Sequence, residues 1–518
     1  MDASARDLRP GAERFSRFCA AVVLALMTLV MGYLFIMSML ATSDISTGEG
    51  FGELLVFRQD NVLVNLGLLI LCVGLLYLFW RFSDKIRLST LTVILLAWTV
   101  VAGALFVMSS KLQPSQDSYV VSFWAMQSAK GDTSYYHFYF KRFPYQFGYA
   151  LYEELIFRLV FLVLPNIPEG FASMLVQAGN VFFLAVTEFA LIRIVGLTFR
   201  SERAQKLTAL LLLLSLHGIL FSTYMYGNMP GLAFSALAVW AFLTFQERPN
   251  WPSGILCALC LALAVILKYN YMIVFIAIAI IWFICLLRRR QLKSLLCLLL
   301  CVVAVLGLKD MPQRYYERRM GEDFGRGISL WGWMALGFNE GQTASGWYDP
   351  AYTVDLFEKN DGNSAEAARQ AREVIKERIA FFTQEPKEGA AFFNRKFLSQ
   401  WNEPSYEVIW NNNVREHYSQ PGRLYELLCR SGENTLKLLM NFYQQCILFG
   451  FVLALASLWR RREICQTLLP LIILGGVLYH LLCEAKSQYS FAFFLLMIPI
   501  GAYGLHFLFE GLSGHKNA

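Results

Sequence analysis

The residues best suited to chemistry lie between Gln116 and Gly148, in the stretch QDSYVVSFWAMQSAKGDTSYYHFYFKRFPYQFG. It opens on an acid, Asp117, and carries the paired tyrosines Tyr135 and Tyr136. It closes on a basic-aromatic turn with Arg142, Pro144, Tyr145 and Gln146. A carboxylate held at the mouth of a low-dielectric cavity has its pKa raised towards the range where it can take a proton from a hydroxyl. Asp117 is the leading base, because it starts the stretch, and Asp132 is the reserve. Arg142 offers a planar fork that fits a phosphate, while Lys268 and Lys486 offer point charges. Fixed cations of this kind stabilise a leaving group that gains negative charge.

The elements that position these groups are apolar. The chain has 518 residues, of which 56% are hydrophobic and only 16% charged, with a mean hydropathy of +0.45. A soluble chain carries about a quarter charged residues. Apolar runs of roughly 16–25 residues recur, long enough to cross a bilayer core of about 30 Å. The chain is therefore expected to be an all-α polytopic membrane protein. The net charge of +7 sits in short basic loops, as orientation signals do, so nucleic acid is not an expected partner. Of the eleven cysteines only Cys429 lies in the large polar segment, so no disulfide framework is indicated. Cys257 and Cys260 form a CxxC inside a hydrophobic run without a second ligand pair, and the histidines form no HxxxH.

Hydropathy marks about thirteen apolar segments, from 18–41 to 488–509. The first follows Arg6, Arg9, Arg14 and Arg17 and is too long for a signal h-region, so it reads as a span with a cytoplasmic amino end. Residues 1–308 then form an amino-terminal membrane module containing the outer loop 110–148. Residues 309–436 read as a folded, α-rich insertion, and 437–518 as the closing membrane helices. In the insertion, Asn363 to Glu366 resembles a capping box. The stretch after it sets Ala367, Ala371, Val374, Ile375 and Ile379 on one helical face.

Parity tests the orientation. The loop 42–60, with Asp44, Glu49, Glu53 and Asp60, falls outside, and Arg81–Arg87 falls inside. If every later segment crossed, Arg200–Lys206 and Arg288–Lys293 would lie outside, against the positive-inside tendency. Removing one crossing repairs every later loop. The weakest segment is 147–165, with Glu153, Glu154 and Arg158, which reads as partly embedded. About twelve true spans remain, with both termini inside and the insertion outside. Asp117, Lys268, and the turn with Glu484, Lys486, Gln488 and Tyr489 then share the outer surface. Snorkelling of Lys268, a local Glu484–Lys486 pair and an interfacial tyrosine belt are the competing readings. Glu188 is buried in mid-helix, where a hydrogen-bonded structural role competes with a proton path.

The pattern resembles GT-C superfamily membrane glycosyltransferases, the bacterial protein mannosyltransferase and aminoarabinose transferase group. The resemblance rests on Asp117-Ser-Tyr-Val-Val and on Tyr139-Phe-Lys-Arg142-Phe-Pro144-Tyr-Gln146-Phe-Gly148. It also rests on Glu484-Ala-Lys-Ser-Gln488-Tyr489, where Gln488 stands in place of a common Arg, and on the helix end Leu261 to Lys268. Trp331-Gly-Trp333 and Gly346-Trp347-Tyr348 add to it. The resemblance implies a GT-C-type bundle of about 12–13 membrane segments, with a polyprenyl-phosphate-linked sugar as donor. It also implies an extracytoplasmic glycan, lipid or protein acceptor and a bacterial plasma membrane. Asp117 would be the general base of an inverting transfer, and Arg142, Lys268 and Lys486 would hold the phosphate. Asp132, Tyr135, Tyr136, Tyr145, Gln146, Trp331, Trp347, Glu484, Gln488 and Tyr489 would contact substrate. The tyrosines and tryptophans could stack on sugar faces or pack between the insertion and the membrane. No cofactor is expected. The loop has no Asp-x-Asp pair, which leaves a divalent metal open.

Two other readings stand beside this one. A transporter or lipid-linked-glycan flippase would show charged or broken helices at mid-membrane and paired halves, and no internal repeat is evident. A membrane scaffold with a docking insertion would make no use of Asp117.

Overall fold

The computed structural model of the chain describes residues 10–48, 52–417 and 419–514. Arg6, Arg9 and Glu49, used above for orientation, lie outside the described residues. Of the described residues, 79% are helical. The strands among the described residues are β1 (Ala41–Thr47) and β2 (Glu53–Gln59), an antiparallel hairpin.

The bundle begins with α1 (Pro10–Leu40), α2 (Val62–Phe82) and α3 (Leu88–Ser110). Three helices then build the loop region: α4 (Gln116–Ala129), α5 (His137–Arg142) and α6 (Phe147–Val163). The bundle resumes with α7 (Glu169–Phe199), α8 (Glu202–Leu214), α9 (His217–Phe221), α10 (Asn228–Glu247) and α11 (Trp251–Leu267). Next come α12 (Met272–Arg289), α13 (Leu292–Leu308) and α14 (Met311–Met320), the last opening the insertion. Helices Glu433–Arg461, Leu468–Leu482 and Ser487–Leu512 close the bundle.

Among the described residues, ten helices are long and apolar enough to cross a membrane. The sequence led us to expect about twelve, and the two short of the count have local causes. The segment 206–222 is broken where Ser215 turns extended (φ −81°, ψ 109°), leaving α8 and α9. Helix α11 has only 17 residues and stops at Lys268, whose backbone is also extended. Both still run the depth of the bundle. Lys206 of α8 donates to the Ser83 carbonyl at 3.2 Å at one end, and Tyr226, just past α9, reaches Asp117 at the other. Near the start of α11, Arg289 donates to the Gln246 carbonyl at 2.9 Å, while Lys268 ends it on the Asp117 side.

Helix α6 is different. Gln146 at its start bonds Tyr226, and beyond its end the start of α7 lies against the segment before α4, where a Cβ on Gly170 would sit 3.1 Å from Gln113 and Gln177 donates to the Leu112 carbonyl at 2.7 Å. Both ends stay on the Asp117 side, so α6 turns back instead of crossing. Its packing explains why a glycine follows the Pro turn: a Cβ on Gly148 would sit 1.8 Å from the Ile266 carbonyl oxygen. That close approach sets α6 against the end of α11, two residues before Lys268.

The carboxylates of α6 have partners elsewhere. Glu154 is buried and accepts from Ser128 Oγ (2.6 Å), Tyr316 Oη (2.6 Å), Arg158 Nε (2.7 Å) and Arg319 (2.7 Å). It therefore ties α4, α6 and α14 together. In mid-bundle, Glu188 accepts from Thr99 Oγ1 at 2.6 Å, a structural bond between α7 and α3.

The insertion packs as a set of amphipathic helices. Asn363 caps helix Ser364–Gln384 by accepting from Ala365 N (3.1 Å) and Glu366 N (3.2 Å). The box is half formed, because the Glu366 carboxylate turns to Arg369 at 2.7 Å. Ala367, Ala371 and Ile375 are buried, Val374 is half-buried, and Ile379 is exposed where the helix runs out from the body.

Burial raises the Glu154 pKa, but its hydrogen bonds and the Arg319 charge outweigh this and hold the carboxyl below the ordinary range. The stability it contributes is therefore complete above that range and is lost as pH falls through its folded value. Glu154→Ala strips a buried network of its acceptor, at a cost of about 3 kcal/mol. Thermal unfolding in detergent should show the loss at neutral pH and a smaller difference in acid.

Candidate active site

Asp117 stands in the first turn of α4, where the helix dipole favours a carboxylate. The residue before it, Gln116, takes a positive φ of 50°, a left-handed turn that costs a non-glycine residue about 1 kcal/mol. The turn is fixed by Ser115, whose N–H donates to Ser118 Oγ at 3.2 Å. Asp117 Oδ2 accepts from Tyr226 Oη at 3.1 Å, and Gln146 Nε2 in turn bonds that hydroxyl. The Asp117 side chain is exposed and lines a cavity. Removal from bulk water pushes its pKa up, against the opposing pull of the Tyr226 hydrogen bond and of Lys486 and Lys268.

The cavity has a volume of about 1020 Å³. It brings together nine of the candidates named from sequence: Asp117, Arg142, Tyr145, Gln146, Lys268, Glu484, Lys486, Gln488 and Tyr489. These come from the α3–α6 loop region, the end of α11 and the turn before the last helix. Lys268 Nζ lies 3.8 Å from the centre of the Tyr226 ring and 5.8 Å from that of Tyr489. Burial pushes its pKa down to about 7, although Asp117 and Glu484 oppose the fall. Burial likewise pushes Glu484 up to about 7, against Lys486 and a 3.1 Å bond from Tyr489.

Lys486 and Arg142 are already engaged. Lys486 pairs with Glu53 of β2 and lies 3.8 Å from Glu407. Burial alone would lower its pKa, but the two carboxylates raise it overall. Arg142 pairs with Glu358 of the insertion and rests 5.1 Å from the Phe138 ring centre.

Five candidates do not reach the cavity. Asp132 is in an exposed turn, accepting from Ser134 N at 2.9 Å. Tyr135 and Tyr136 pack edge-on against Phe123, and Trp331 carries Arg372 over its ring at 5.6 Å. Trp347 is fully buried, its Nε1 donating to Ser399 Oγ at 2.8 Å. Each of these contacts lies within one segment, the loop region or the insertion, and Tyr135 and Trp331 stay 42% and 40% exposed.

Sequence reading missed Tyr226, Glu53, Glu407 and Trp410, all beside the charged groups. Glu53 carried a signal: it lies in the same predicted outer loop as Asp44. Glu407 had none, since its approach to Lys486 depends on how the insertion folds back. Among the described residues no group of three or more His, Cys, Asp or Glu side chains is placed to hold a metal ion.

Comparison with known proteins adds to this geometry. Residues 156–309 match the sequence model of the dolichyl-phosphate-mannose-protein mannosyltransferase family. The GT-C glycosyltransferase resemblance is borne out. The matched segment contains Tyr226 and Lys268, and Asp117 precedes it. Archaeal oligosaccharyltransferase AglB from Archaeoglobus fulgidus, solved with an inhibitory peptide and a dolichol-phosphate, is similar at 12% identity and a TM-score of 0.45. The similarity covers 84% of this chain and 52% of that one, so the chain spans about half the length of AglB. No curated protein sequence gives a significant match.

Tyr226→Phe removes the hydroxyl that favours the charged form of Asp117. The acid limb of the pH–rate profile should move to higher pH. An unchanged limb would detach this hydrogen bond from catalysis.

Proposed function

We propose that the chain transfers a sugar from a polyprenyl-phosphate-linked donor to a hydroxyl of an extracytoplasmic acceptor. The observation that carries this reading is the joining of Asp117, Lys268 and Glu484 in one cavity at one end of a membrane bundle. Its volume suits a sugar-phosphate headgroup, since ligand pockets run to about 300–1,000 Å³. The family name supports a prenyl-phosphate donor, and the matched segment supplies Lys268.

In this reading Asp117 accepts the acceptor's proton as the acceptor oxygen bonds to the anomeric carbon. The bond from that carbon to the phosphate oxygen breaks, and prenyl phosphate leaves with the electron pair. A single displacement of this kind inverts the anomeric centre. Lys268, which has no ion pair among the described residues, offsets the charge gained by the leaving phosphate. Lys486 and Arg142 set the walls through their own carboxylate partners. Both termini face the cytoplasm of a bacterial plasma membrane, and the insertion 309–436 lies outside it.

Asp117→Asn should lower transfer about a thousandfold while the protein still inserts and melts normally, as loss of a general base does. Normal activity in this variant would overturn the assignment of the base. The rate should climb with pH as Asp117 ionises and fall as Lys268, at about 7, loses its proton. Arginine stays charged, so Lys268→Arg should abolish the alkaline fall, measured as log kcat/KM against pH.

A further inference from the structure

Beside Glu484 the cavity is lined by a buried histidine that takes no part in the transfer step. His480 lies in the last turn of helix Leu468–Leu482 and is 2% exposed. Its Nδ1 bonds the Glu484 carbonyl oxygen at 2.8 Å. A carbonyl only accepts, so Nδ1 carries the proton and donates. Nε2 is then the acceptor of the ring, and it is buried without a hydrogen-bond partner among the described residues. Leaving a buried acceptor unsatisfied is unfavourable, so a side chain that merely filled this space would be better apolar.

What His480 holds is the turn. The helix stops at Leu482, and at Cys483 the backbone swings out to φ −105° and ψ −170°. Carbonyls at a helix end lack intrahelical donors and take others. Lys396 supplies them for Leu481 and Cys483, and His480 supplies one for Glu484. That bond folds the Glu484 backbone back against its own helix. The same imidazole stacks with Tyr489, their centres 5.4 Å apart and their planes at 16°. Tyr489 Oη donates to the Glu484 carboxyl at 3.1 Å, and its ring centre lies 5.8 Å from Lys268 Nζ. One imidazole therefore touches both partners of the Glu484–Tyr489 bond, the backbone of the first and the ring of the second.

We propose that His480 is a positioning residue of this cavity, and that by holding the Glu484 carbonyl and the Tyr489 ring it keeps the Glu484 carboxyl beside Lys268. This rests on the transfer reading above, in which Lys268 is charged as the phosphate leaves. Lys268 is faced by the rings of Tyr226 and Tyr489 and by the acids Asp117 and Glu484. Glu484 is faced in turn by Lys486, Tyr489, Glu53 and Asp117. His480 itself stands within electrostatic reach of Lys268 and Lys396. Burial drives the Lys268 ammonium to shed its proton, and the two acids oppose this. A Glu484 turn set loose withdraws one of them, so Lys268 then titrates at lower pH.

The test reads the Lys268 amine directly. The full chain in nanodiscs is acetylated with trace acetic anhydride across a pH series, and the Lys268 peptide is quantified by mass spectrometry. Asparagine at position 480 sets an amide N–H close to where Nδ1–H stood, whereas glutamine sets one close to Nε2. Both remove the ring, so their difference isolates the bond to the Glu484 carbonyl. His480→Ala and His480→Gln should lower the Lys268 midpoint by about half a pH unit or more. His480→Asn should restore most of that shift. In transfer assays the alkaline fall of log kcat/KM should move in step. The proposal fails if the midpoint is unchanged in the glutamine variant, if asparagine and glutamine shift it alike, or if glutamine alone restores it. Should the alanine variant not fold, the asparagine–glutamine comparison decides by itself. If Lys268→Arg leaves the alkaline fall in place, the transfer reading fails, while the labelling still decides the role of His480.

Discussion

A hydrogen bond joins Tyr226 to Asp117 across 109 positions of sequence, with α7, the broken pair α8–α9 and the turn-back helix α6 between them. For the two side chains to meet, each intervening element must return the chain to the same end of the bundle. The bilayer enforces this return. Backbone polar groups cannot be left open in hydrocarbon, so spanning segments are helical and charged loops gather at the ends. The cavity with Asp117, Lys268 and Glu484 follows from that constraint, since it forms where several helix ends converge.

Charge balance then divides the labour among the cations. Lys486 and Arg142 are neutralised by Glu53 and Glu358, so they join separate segments and shape the walls. Among the described residues Lys268 has no ion pair and faces the rings of Tyr226 and Tyr489, so its charge is left available. An ammonium stripped of water and unpaired is costly, which is why its pKa falls to about 7. The same scarcity of water raises Asp117, and it raises Glu484 to about 7, level with Lys268.

The insertion is an integral wall of the site. Lys396, on helix Pro386–Trp401, buries its ammonium and donates to the carbonyls of Leu481 (3.0 Å) and Cys483 (2.7 Å), capping the helix before the Glu484 turn. Glu407 receives the Ser487 N–H at 2.9 Å from that same turn. At the other side, Tyr316 and Arg319 lock α14 onto Glu154. Two buried polar networks therefore fix the insertion to both halves of the membrane domain.

Much of this was legible in the sequence, because hydropathy and loop charge are local properties and each crossing reverses the side. They were enough to name α6 as a turn-back segment from Glu153, Glu154 and Arg158, and to bring Asp117, Lys268 and Glu484 to one surface. Pairing is not local. Only the fold decided that Lys486 meets Glu53, that Tyr226 reaches Asp117, and that Trp347 is sealed inside against Ser399. Those contacts depend on how helices far apart in the chain pack, and an isolated lysine or tryptophan reads the same whether it lines a cavity or fills a core.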